Sequence, residues 1–170
     1  LNEGGGLESD LHYDFFGGRA LDSRGEAVTS FSRLLLRNSG NDCNTSFIRD
    51  AYMQRVTSVL NADTMATAST LVFVNGEFWG VYNMRERYSP EYVESHYGVD
   101  KNNVTVIESD YSQVHTNTNA DFVLSAGVEG DQKPFNDMVA YMRRNDLAEQ
   151  KNYEYVSSLM DMDSFIDMWV

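Results

Sequence analysis

Two apolar runs close together dominate the hydrophobic pattern of this chain. Residues 71–74 read Leu-Val-Phe-Val and residues 78–84 read Phe-Trp-Gly-Val-Tyr-Asn-Met, with Asn75, Gly76 and Glu77 between them. Both central residues of a type I′ turn need positive φ, which Asn-Gly meets at low cost, so the pattern predicts an antiparallel hairpin turning at Asn75-Gly76. The first run is apolar at four consecutive positions instead of alternating, which predicts a strand covered on both faces. The second runs straight into Arg85-Glu86-Arg87, so charge arrives at the edge of a core.

The rest of the chain follows in ordered pieces. Residues 11–16 and 31–37 read as strands, the first closed by Gly17-Gly18. After the turn-rich stretch 38–44, Thr45 or Ser46 can cap a helix over 47–60, where Ile48, Tyr52, Val56, Val59 and Leu60 keep helical spacing. Beyond the hairpin, Ser89-Pro90 starts a short helix and Gly98 ends it. Residues 104–107 form another strand. Residues 109–132 are polar and irregular and read as a long surface loop, and residues 1–10 as a flexible lead-in. Pro134 opens a helix to about residue 144 with Phe135, Met138, Val139 and Met142 on one face. Residues 152–160 and 163–170 read as further helices. Strand, strand, helix, hairpin, helix, strand and helices make an α+β pattern, with a largely antiparallel sheet and packed helices. A length of 170 residues suits one domain, 1–170.

Charge narrows the partners. With 13 basic and 26 acidic residues the net charge is −13. Such a surface repels nucleic-acid phosphates and anionic membranes, so neither is expected as a partner. It repels ATP too, unless basic residues or divalent cations invert the field locally. Acidity also serves plain solubility. Cys43 is the only cysteine, which excludes an intrachain disulfide and a multi-cysteine zinc site. No apolar run is long enough to span a bilayer.

Several side chains could carry chemistry, each with a plainer alternative. Arg33 and Arg37 lie on the second strand, four residues apart and so on the same face. Arg37 can hold a phosphate or a buried acid, or both can be edge charges. Asp50 near a helix start is favoured by the helix dipole alone, whereas Arg49 there is not and can pair with Glu86 or Asp42. Glu86 can serve a ligand or pair with a neighbouring arginine. Asp163 reads as a helix cap and Asp161 as a loop residue, which explains them better than a metal site would. His12, His96 and His115 have no local ligand spacing.

The stretch from Phe73 to Arg87, FVNGEFWGVYNMRER, resembles the central motif of the CotH kinase family, the spore-coat-protein-H-like proteins. LLLRNSGND at residues 34–42, FIRDAYMQ at 47–54, YVESHYGVD at 92–100 and NNVTVIE at 102–108 continue the resemblance in order. The resemblance implies a kinase-like small lobe: a strand with a basic phosphate ligand, a helix behind it, a hairpin and a hinge touching adenine. It implies ATP and Mg²⁺ as cofactors of the full-length protein, with none expected on this fragment. The substrate would be Ser or Thr of a spore-coat or surface protein. The location would be the spore coat or a secreted or cell-surface position in a bacterium. In this frame Arg37, Arg85 and Glu86 are the nucleotide-placing candidates, with Arg37 and Glu86 facing one cleft next to the hairpin's end, and Arg49 with Asp42 a supporting ion pair. The chain starts abruptly at Leu1 and stops inside a helical pattern at Trp169-Val170. It is therefore expected to be truncated before the large lobe and inactive alone, its partner being the remaining C-terminal part. The alternative function is a non-catalytic interaction or carbohydrate-associated module, with Trp79 and the tyrosines as a sugar platform.

Overall fold

A computed structural model describes residues 10–109 and 122–169. The elements are β1 (Leu11–His12), β2 (Ser30–Phe31), β3 (Leu35–Arg37), α1 (Arg49–Thr57), β4 (Thr67–Val74) and β5 (Glu77–Arg85). They continue with α2 (Pro90–Tyr97), β6 (Val106–Ser109), β7 (Phe122–Ala126), α3 (Lys133–Arg144), α4 (Gln150–Ser157) and α5 (Met162–Asp167). The protein is α+β. Its strands pair antiparallel in three small sheets, β1-β2, β3-β5-β4 and β6-β7. The chain divides into two compact units, residues 1–59 with 63–101, and residues 60–62 with 102–170. Among the described residues no helix is long and apolar enough to cross a membrane.

In the first unit, Phe16, Ala20, Val28 and Phe31 form the buried core, with Leu34, Ala66, Ala68 and Met84 packed against it. Phe16 and Phe31 meet edge to face, 5.3 Å between ring centres. The expected strand 31–37 is broken: β2 ends at Phe31 and β3 begins at Leu35, so Arg33 lies between strands and not on one face with Arg37. The expected strand 11–16 keeps only its first two residues. Asp14 explains part of this, because its carboxylate accepts from the amides of Phe16 and Gly18 and bends the chain at Gly17-Gly18.

The hairpin turns at Asn75 (φ 52°) and Gly76 (φ 84°), as the Asn-Gly pair predicts. Its burial differs from expectation. Leu71, Phe73, Phe78 and Trp79 are each about 60 % exposed. The reason is β3, which pairs only with Asn83–Arg85. The base of the hairpin thus belongs to a three-stranded sheet, while its outer half is a two-stranded ribbon with no third strand beside it. A bulge adds to this: Val72 faces Gly80 and Phe73 faces Phe78, leaving Trp79 as the extra residue.

The second unit contains a strand inside the stretch read as a loop. β7 lies within residues 109–132 and pairs with β6; the remaining part of that reading, 110–121, and the lead-in 1–9 fall outside the described residues. Asn152 is buried and bridges α3 to α4, accepting from the Tyr141 hydroxyl and donating to the Asp146 carbonyl, both at 2.8 Å. α5 is capped by Asp161, whose carboxylate accepts from the Ser164 amide, and not by Asp163, which is already in the first turn.

Replacing Gly76 by Val forces a β-branched side chain into the left-handed region, at ~1–2 kcal/mol. Gly76→Val is expected to lower the midpoint of chemical denaturation, and Gly76→Asn to lower it less; equal midpoints for all three proteins would contradict the turn assignment.

Candidate functional site

The loop joining β3 to α1 is held by one buried carboxylate. Asp42 accepts from the amides of Ser46 and Arg49 at 3.2 and 2.9 Å and from the hydroxyls of Thr45 and Ser46. These bonds, led by the Thr45 hydroxyl, hold its carboxyl well below the usual range. Asp42 therefore caps the α1 entry, the task expected of Thr45 or Ser46. Those two hydroxyls serve Asp42 instead. The Arg49 guanidinium stands 3.4 Å from the same carboxylate.

A second anchor comes from the sheet. Asn83 is buried on β5 and donates to the Ser39 hydroxyl at 2.8 Å and to the Phe47 carbonyl at 2.9 Å. Ser39 and Phe47 both carry positive φ, near 65–69°. A rare backbone conformation in two non-glycine residues persists because surrounding bonds over-determine it.

On the same face of the sheet as Asn83 stand Arg37 and Arg85. Both reach one oxygen of Asp50 in the first turn of α1, Arg37 at 3.6 Å and Arg85 in closer contact. Arg85 is largely buried, and its Nε has no hydrogen-bond partner among the described residues. Arg37 and Asp50 are nearly half exposed. The product is a strand-to-helix ion pair with accessible positive charge at its rim.

Glu86 turns the other way. Successive strand residues point to opposite faces, and Glu86 is buried against α2, where its carboxylate stands 3.2 Å from His96 Nε2 and accepts from the Ala66 amide at 2.8 Å. The expectation that Arg37 and Glu86 share a cleft is thus corrected: Arg37 and Arg85 are brought together with Asp50, and Glu86 is not. Tyr92 stacks on the His96 ring, centres 4.0 Å apart. The hydroxyls of Tyr88 and Tyr92 donate to the carbonyls of Asp63 and Thr64, and burial pushes the Tyr88 hydroxyl up to about 12, so it stays a donor.

Among the described residues no three His, Cys, Asp or Glu side chains gather where they could hold a metal ion. Sequence reasoning missed Asn83, Asp50 as a shared carboxylate, and His96. A polar residue inside the apolar run 78–84 was the available signal for Asn83; His96 had none, because its partner is ten positions away on another element.

The fold and site define an α+β protein in which a strand arginine meets an acid on the following helix. A family model described as CotH kinase protein matches residues 9–170, and the chain belongs to that family. The family is associated with bacterial spore coats. No curated protein and no solved structure matches the chain.

Burial pulls His96 towards its neutral form, but the hydrogen bond and charge of Glu86 outweigh this and raise its pKa. A raised histidine pKa contributes stability that is complete below about pH 6.5 and is lost as pH rises through the folded value. The melting temperature is expected to fall as pH rises from about 6 to about 9, and His96→Gln to flatten that slope. Glu86→Ala, which strands His96 and the Ala66 amide, is expected to cost ~3 kcal/mol. A profile identical in wild type and His96→Gln would assign the slope elsewhere.

Proposed function

We propose that this chain is the nucleotide-placing part of a CotH-family protein kinase, which transfers phosphoryl groups from ATP to Ser or Thr of a spore-coat or surface protein. The observation that carries the reading is the pair between Arg37 on β3 and Asp50 on α1. Protein kinases depend on a strand cation paired with an acid of the following helix, which positions the cation for the phosphates. Arg37, Asp50 and the hairpin follow here in that order. Bound ATP supplies the phosphoryl group. Arg37 is accessible and presents a planar fork of donors that suits phosphate oxygens, and Arg85 holds an unsatisfied buried N–H beside it. Together they are the residues fit to hold an anion at this face. The described acids do not form a Mg²⁺ site, so no step is assigned to the metal. Asp50 keeps both guanidiniums pointed at one place. Glu86, facing away, is a positioning residue that holds β4 and α2 in place.

A second reading, a carbohydrate-binding module, draws on the exposed ribbon. Phe78, Trp79 and Val81 border a shallow hollow of about 510 Å³ together with Phe47 and Cys43. Exposed aromatic faces suit sugar rings. Saturable oligosaccharide binding that is lost in Trp79→Ala would favour it.

The kinase reading is tested in the natural protein that contains this chain, by ATP titration and by phosphate transfer to protein. Arg37→Ala is expected to weaken ATP binding roughly tenfold, about the worth of one charge-assisted hydrogen bond, with little change in melting temperature. Unchanged ATP affinity, or a parallel loss of stability, would assign Arg37 to structure alone.

A further inference from the structure

We propose that the first unit carries a separate anion site, in a hollow of about 360 Å³ bordered by Arg19, the second half of α1 and the start of β4. Its ligand is a small, doubly charged oxyanion group, a phosphate or a dicarboxylate. The hollow is lined by Arg19, Arg55, Gln54, Ser58, Thr64 and Thr67, with Leu21 and Met65 as its apolar part, and no acidic residue borders it. That composition runs against a chain with twice as many acids as bases. Acid-free, two-arginine walls invert the local field of a net-negative protein.

The two arginines are also uncommitted. Arg24, Arg37, Arg49 and Arg85 each face a carboxylate. Arg19 instead donates from one Nη to the Thr67 carbonyl at 2.9 Å, which fixes the guanidinium at the wall and leaves the rest of its fork free. Arg55 has no guanidinium hydrogen bond or ion pair among the described residues. Arg19 is held by the chain before it: Gly17 and Gly18 both have positive φ, and Asp14 accepts from the Gly18 amide at 2.9 Å. A Cβ at Gly17 would stand 3.8 Å from an Nη of Arg19.

Among the neutral side chains, Gln54 is set as a donor. Gln54 uses its Oε1 to accept from the Met65 amide at 2.8 Å, so its NH₂ group remains for another partner. One effect opposes an anion here, the negative end of the α1 dipole. It is blunted, because the Ser58 hydroxyl covers the Arg55 carbonyl and Thr57 covers that of Met53, both at 2.8 Å. Arg55 in the last turn offsets what remains. The site is distinct from Arg37 and Arg85, which line no part of it.

The test uses the 170-residue chain, titrated calorimetrically with inorganic phosphate and with succinate, against sodium chloride at matched ionic strength. Saturable binding of either is expected, weakened roughly tenfold or more in Arg55→Gln, as for loss of a charge-assisted bond. Arg55→Gln removes no internal bond, so its fold is retained even if Arg19→Gln melts early. Phosphate binding without succinate binding assigns a phosphate ester as the ligand class; the reverse assigns a dicarboxylate. Heats reproduced by chloride, or an affinity unchanged in both variants, would overturn the site.

Discussion

The carboxylate of Glu86 ties together three separate parts of the first unit: the start of β4, α2 and, through α2, the loop after β1. A buried carboxylate is costly unless its oxygens are satisfied. Here one oxygen takes the Ala66 amide and the other takes His96, while the Glu86 amide donates back to the Ala66 carbonyl at 3.3 Å. Those partners set where β4 starts and where α2 docks. The chain then extends the tie, because the His96 carbonyl accepts from the Ser23 amide at 2.6 Å and so holds the loop between β1 and β2. The core phenylalanine Phe16 lies in that loop, and Phe31 is in the strand that follows it.

The opposite face of the sheet is organised by different means. Exposed ion pairs contribute little to stability, so the contacts of Asp50 with Arg37 are weak determinants of where α1 sits. Asp42, satisfied by amides and hydroxyls, and buried Asn83 do that positioning. This division makes the Arg37–Asp50 contact dispensable for the position of α1. The same chain that is acidic overall thus sets two arginines against one carboxylate at Asp50 and leaves Arg19 and Arg55 without a carboxylate beside α1's last turn.

The outer hairpin shows how strand composition and burial separate. Val72, Phe73 and Phe78 have the β-branched or aromatic character of a buried strand, and Phe73 and Phe78 do pack on each other, ring centres 5.6 Å apart. Yet a two-stranded ribbon has too little surrounding structure to cover both its faces. Apolar composition reported what the strand could bury and not what lies over it.

The sequence by itself determined the local features. The hairpin turn follows from Asn75-Gly76, the α2 boundaries from Ser89-Pro90 and Gly98, and the α+β order from the succession of patterns, because each depends on φ/ψ preferences and caps within a few residues. The family was legible for the same reason, its blocks being contiguous. Tertiary structure alone decided the pairings across elements. Whether Glu86 faces Arg37 or His96 depends on which side of β5 it emerges, and a one-residue step reverses that side. Asp50 became the shared partner of two arginines only when β3 and β5 came together beside α1. The break at Ser32–Leu34 removed Arg33 from that face, and the brevity of β3 left the outer hairpin uncovered. Such outcomes arise from contacts between different elements, for which no periodicity exists in the chain.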